Sequence, residues 1–186
     1  MSRSFVYLPV LLAAGLLTGC HGRHFAASTQ PASSIVNLSS PAPNEDVEAI
    51  VAPPASWRKD ELKATSNHKH QVWVSPTGDT AYGVIHVNLP LPVGPDLTLM
   101  GFLAEMRRSE GESTLISKDR DPDLPGLRFV AEGGRYRIFA NLTARGFNAW
   151  TIYAGTLRGR PINEPEFELA QRAREATIIG LPKPKQ

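Results

Sequence analysis

Along this chain the pattern of apolar and polar positions changes character more than once. From Phe5 to Leu17 almost every residue is apolar, with only Pro9 and Gly15 interrupting. From His21 to about Pro54 the composition turns to Ser, Ala, Pro, Thr and Asn, with Phe25, Ile35, Val36 and Leu38 scattered through it. Such low apolar density without a period predicts an unstructured linker, because too little surface is buried to offset chain entropy. Between Trp57 and Gly180 short periodic runs predict a folded unit, and Leu181-Pro182-Lys183-Pro184-Lys185-Gln186 reads as a polar tail. The resulting division is 1–19, 20–54, 55–180 and 181–186.

Within the folded unit, Val72-Trp73-Val74 is β-prone and ends in Ser75-Pro76-Thr77-Gly78-Asp79, a strong turn cluster. Tyr82 to Val87 returns as the second strand of a hairpin. After Pro90, Pro92 and Pro95, Asp96 is placed to cap a helix whose stripe is Leu99, Phe102, Leu103 and Met106. Arg107 and Arg108 complement its carboxyl end and Gly111 terminates it. Ser113 to Ser117 predicts a strand. Leu127 to Ala131, Arg135 to Leu142 and Asn148 to Ala154 then predict an antiparallel meander, turned at Glu132-Gly133-Gly134 and Arg145-Gly146. In the middle strand Tyr136, Ile138, Ala140 and Leu142 share one face, while Arg135, Arg137 and Asn141 share the other, the pattern of a sheet covered on one side. A last helix starts at Asn163, with Pro165 in its first turn and Phe167, Ala170, Ala173 and Ala176 as a small-residue face. The fold class is α+β: an antiparallel sheet, hairpin plus meander, packed with two helices. Trp57, Trp73 and Trp150 read as core or edge aromatics. This element order, with Trp73-Val74-Ser75-Pro76-Thr77-Gly78 and Gly133-Gly134-Arg135-Tyr136, resembles the PsbP-like α/β/α sandwich. That resemblance implies a small lumenal or periplasmic domain, mostly of non-enzymatic kind, and carries no functional residue with it.

Composition adds an address. At 186 residues and 41% hydrophobic the chain supports one core with extensions, and its formal charge of +2 lacks the concentrated basic stripe of a nucleic-acid binder. One cysteine excludes an internal disulfide and a Cys-rich zinc site. Arg3 followed by the short apolar run is the architecture of a secretory signal, too short to cross a bilayer comfortably. The run ends in Leu17-Thr18-Gly19-Cys20, which resembles the lipobox of bacterial lipoproteins. The resemblance implies cleavage before Cys20, a diacylglycerol thioether on that sulfur, and attachment to a membrane of the cell envelope. His21 stands where an aspartate marks inner-membrane retention in enterobacterial relatives, which points to the outer membrane, facing the periplasm.

Three groupings offer chemistry. Asp119-Arg120-Asp121-Pro122-Asp123 alternates carboxylates like the start of a calcium loop, but Leu124 and Val130 stand where the glycine and closing carboxylate belong, so a solvated loop is the plainer reading. His68 and His70 alternate on one strand face, and His86 on the return strand would complete a zinc or copper triad if register brought it opposite; otherwise His68 and His70 are exposed histidines at a strand start. Arg128, Arg135 and Arg137, beside Val130 and Phe139 on the polar face of the meander, form a candidate site for a small carboxylate or phosphate ligand, or else a solvated sheet face. No Gly-x-Ser-x-Gly elbow or P-loop lysine pattern occurs. The reading these residues support is a non-enzymatic, lipid-anchored binding module for an envelope protein or small ligand, with no cofactor and no nucleic-acid partner. Two alternatives stay open: a metal-dependent hydrolase using residues such as His68, His70 and Asp121, and a structural envelope protein.

Overall fold

The computed structural model describes residues 37–120 and 126–181; residues 1–36, with Cys20 and the first part of the expected linker, the Asp121–Asp123 part of the acidic loop and residues 182–186 lie outside them. Every strand pairing among the described residues is antiparallel. The hairpin forms as β5 (His68–Val74) and β6 (Thr80–Asn88), with Gly78 at φ 79° in its turn, a conformation that glycine adopts without steric cost. The meander forms as β8 (Gly126–Gly133), β9 (Tyr136–Arg145) and β10 (Asn148–Leu157). Strand β7 (Ser113–Arg120) runs past Ser117 and slips register between Leu115 and Ser117. With the two-residue strands β3 (Arg58–Lys59) and β4 (Lys63–Ala64) both pairing β5, these make an eight-stranded sheet in the order β3-β5-β6-β10-β9-β8-β7.

Helix α1 spans Pro95–Glu110 and buries Leu99, Phe102, Glu105 and Met106, with Gly111 at φ 82° closing it. Asp96 does not cap it. Gly94 occupies the cap position, and Pro95 sets the first turn. Asp96 bonds across to Lys118 Nζ and an Arg120 guanidinium nitrogen of β7, each at 2.8 Å, and so ties the helix to the sheet edge. Helix α2 spans Glu164–Ala176 with Asn163 at its cap position, although the Asn163 side chain makes no cap bond. Its Ala170 and Ala173 are fully buried, and Glu166 accepts a hydrogen bond from Thr77 Oγ1 at 2.6 Å in the hairpin turn. No helix among the described residues is long and apolar enough to cross a membrane.

Two hydrophobic clusters draw on alternate residues of the same strands. Tyr82, Val84, Ile152 and Ala154 pack with Ala170 and Ala173, whereas Ile85, Tyr153, Leu127, Phe129, Ala140 and Leu142 pack with Leu99, Phe102 and Met106. The period of two along a strand sends each set to its own face. The second face of the meander is not bare: Phe139 meets Phe167 of α2, ring centroids 4.8 Å apart.

The segment 37–54, which composition assigns to the linker, belongs to the fold. Strands β1 (Ala42–Asn44) and β2 (Ala49–Val51) pair with each other, and β2 also pairs with β11 (Ile178–Ile179) in a separate three-stranded sheet. Val47 and Ala49 are fully buried. The Trp150 indole N–H donates to the Val47 carbonyl at 3.0 Å. A few apolar residues suffice here because their partners come from far along the chain, which local composition does not register.

Candidate functional site

A concavity on one face of the sheet follows from sheet width. Six strand spacings of roughly 4.8 Å give a sheet about 29 Å across, while one helix covers about 10 Å. Helix α1 packs on β7, β8 and β9, toward one end. On its side of the sheet, β5, β6 and β10 are left without a helix of their own. A cavity of about 450 Å³ opens there, lying between the sheet and the C-terminal half of α1.

Small or flat residues make its floor. Val72 and Val74 of β5, Ala81 and Ile85 of β6, Gly155 of β10 and Ile138 of β9 line it, under a wall of Phe102 and Met106. Gly155 and Ala81 are register partners, so two adjacent positions carry almost no side chain. Polar groups are few. His70 Nε2 and Tyr153 Oη lie 2.7 Å apart on the floor, joined by a hydrogen bond that either tautomer of the imidazole permits. Burial, aided by His68 and Lys63, pushes the His70 pKa down to about 3, and burial pushes that of Tyr153 up. Both groups are therefore uncharged across the neutral range. At the mouth, Arg58 pairs with Asp60 at 3.1 Å, Asp79 with Arg160 at 2.8 Å, and Glu110 accepts the Arg135 backbone N–H at 3.1 Å. The half-buried Tyr136 phenol is also pushed up, by burial before its neighbours Glu110 and Asp60.

The histidines expected at an exposed strand start are buried instead, at 3% exposure for His68 and 6% for His70. Pairing with β6 on one side and with β4 on the other encloses them. His68 and His70 do share a face, with ring centroids 6.2 Å apart. His86 does not join them, because register sets it opposite Lys69 and so on the other face. There it stacks on Trp150, centroids 5.0 Å apart and planes within 11°, and its Nε2 donates to Asn148 Oδ1 at 3.0 Å. A three-histidine metal site is excluded by that geometry. Burial, then His86, lowers the pKa of His68, whose two ring nitrogens have no partner among the described residues.

The three arginines do not converge either. Arg128 of β8 and Arg137 of β9 share the α2 face, but Arg137 is paired with Glu132 and Arg128 lies near Arg174 of α2. Arg135 precedes β9 and carries its guanidinium to the ring of Tyr136, 5.9 Å from the centroid. A glutamate on the neighbouring strand, at the register partner of Arg137, neutralises what the alternation of β9 alone presents as a basic face. Cys20 and Asp121 lie outside the described residues. The cavity itself escapes sequence reasoning; its faint signal is the small residues Ala81, Gly83 and Gly155 around Tyr153.

No family model matches the chain, and no curated protein matches it. Among solved structures it is similar to a protein from Bacteroides thetaiotaomicron VPI-5482 at 10% identity and a TM-score of 0.44, over 80% of this chain and 51% of that one. The chain thus spans about half the length of that protein.

Proposed function

We propose that this protein is a non-enzymatic binding module that seats a small, mainly apolar molecule between α1 and the sheet, held to the cell envelope by a lipid on Cys20. The observation that carries the binding half is the cavity of about 450 Å³, whose floor is Val72, Val74, Ala81, Ile85, Ile138 and Gly155. That size falls within the roughly 300–1,000 Å³ of small-molecule sites, which are also mostly apolar with a few placed polar groups. The lipid half is supported by Leu17-Thr18-Gly19-Cys20 after the apolar run, and two or more acyl chains give stable anchoring. We read the two-sided core as an α/β/α sandwich of the PsbP-like kind, one helix per face.

Titration of an environment-sensitive apolar dye into the full chain carrying Cys20→Ser tests the cavity. Saturable one-to-one binding is expected, lost in Ala81→Phe with circular dichroism unchanged. Dye binding that Ala81→Phe leaves intact would remove the cavity from the proposal. For the anchor, labelled palmitate should enter the wild-type chain in bacterial cells and not Cys20→Ser; an unlabelled wild type with its leader intact ends that half.

A further inference from the structure

Resting on the cavity reading above, we infer that the occupant is an uncharged amphiphile, an alcohol or phenol, whose single oxygen points inward to the His70–Tyr153 pair while its hydrocarbon body lies along Val72, Ile85 and Ile138. The pair's geometry carries this. His70 Nε2 and Tyr153 Oη are 2.7 Å apart, both side chains are more than nine-tenths buried, and both line the cavity.

If the phenol donates to Nε2, its oxygen keeps acceptor capacity toward the cavity; if Nε2–H donates, the phenol proton is left to donate to a ligand. Either way the pair offers one unused hydrogen bond, and an oxygen that both donates and accepts satisfies both cases. A hydroxyl is thus the best match.

Charge is excluded from that end for separate reasons. The hydrogen-bonded groups at the junction are the His70 imidazole and the Tyr153 phenol, both neutral near pH 7, and the charges that act on them are Lys63 on His70 and Asp60 and Glu110 on Tyr153. An ammonium placed there would lose its hydration and meet the Lys63 charge, and a carboxylate would lose its hydration with Lys63 as counter-charge to the imidazole end alone, which costs more than a neutral hydrogen bond returns. At the mouth, Arg58 and Asp79 are engaged by Asp60 and Arg160. Glu110 differs, because its described partner is a backbone N–H. It defines the rival arrangement: an amine held at the mouth with its tail inward.

Competition against the bound dye decides the matter, using 1-decanol, decanoate and decylamine on the full chain with Cys20→Ser near neutral pH. Decanol should displace the dye at least about tenfold more effectively than decanoate or decylamine. Tyr153→Phe, which keeps the ring, should weaken decanol relative to the dye roughly three- to tenfold, the worth of one neutral hydrogen bond. Equal ranking of the three probes, or preference for decanoate, overturns the inference while the cavity reading stands. Preference for decylamine that Glu110→Gln abolishes overturns it in favour of the mouth-bound amine. Failure of the dye itself to bind overturns both. The ranking in the unsubstituted cavity decides even if Tyr153→Phe proves unstable.

Discussion

Tyr153 fills the space that a side chain at position 83 would need: a Cβ on Gly83 would stand 2.5 Å from the tyrosine hydroxyl oxygen and 2.6 Å from ring atom Cε1. The two residues are direct register partners on β10 and β6. Gly83 thus lets the ring lie across the neighbouring strand, which brings its hydroxyl to His70. Gly83→Ala should destabilise the fold by about 1–3 kcal/mol through forced displacement of the ring. Urea denaturation measures the loss. In a double-mutant cycle with Tyr153→Leu, most of that cost should disappear; equal cost in both backgrounds would contradict the contact.

Stability should also depend on pH through His70. Its pKa in the folded chain is about 3, below the ordinary 6.5, so between those values the unfolded chain binds the extra proton. Stability is therefore fully present above pH 6.5 and is lost as pH falls toward 3, at no more than about 1.4 kcal/mol per pH unit for one proton. His70→Gln, which keeps a hydrogen-bonding group but does not titrate, should flatten that limb of a stability–pH curve. An unchanged slope would mean that the burial of His70 is not what sets it.

Removing the segment 37–54 tests its place in the core. A chain starting at Ala55 loses the buried Val47, Ala49 and Val51 and strips the Trp150 indole of its acceptor. Fully buried valines are each worth about 1.5–3 kcal/mol, so the loss should exceed about 3 kcal/mol relative to a chain starting at Asn37. Matching urea midpoints for the two chains would return the segment to the status of a linker.

Helix α2 lies close against β6 and β10 because Ala170 and Ala173 leave room for it. Ala170→Leu should cost about 1–3 kcal/mol by overpacking, while Glu168→Ala on the exposed side should stay within about 0.5 kcal/mol. Thermal or urea unfolding distinguishes them, and similar effects would argue against the close approach.

What was legible in the sequence was whatever a short window encodes. The stripe Leu99–Phe102–Met106, the turn at Ser75–Asp79 and the alternation through Tyr136, Ile138, Ala140 and Leu142 all appear where expected. What depends on register or on distant partners was not legible. His68 and His70 look like surface residues among Asn67, Lys69 and Gln71, yet flanking strands bury them. His86 goes to the opposite face by one position of register. Arg137 meets Glu132 only once β8 and β9 are aligned. The cavity depends on where α1 lands across the sheet, a property no local pattern records.

The pairing of β2 with both β1 and β11 has a consequence for how the chain comes to be folded in a cell. Val47 is translated 103 residues before Trp150, and Ala49 must wait still longer for Ile179. Until those late residues emerge, Val47 and Ala49 lack Ile152, Ala154, Ala170 and Ala173 of their core cluster, and chains released early would leave them partly uncovered. The first of the described strands to leave the ribosome is thereby among the last to complete their packing, which gives chaperones a window in which to hold it.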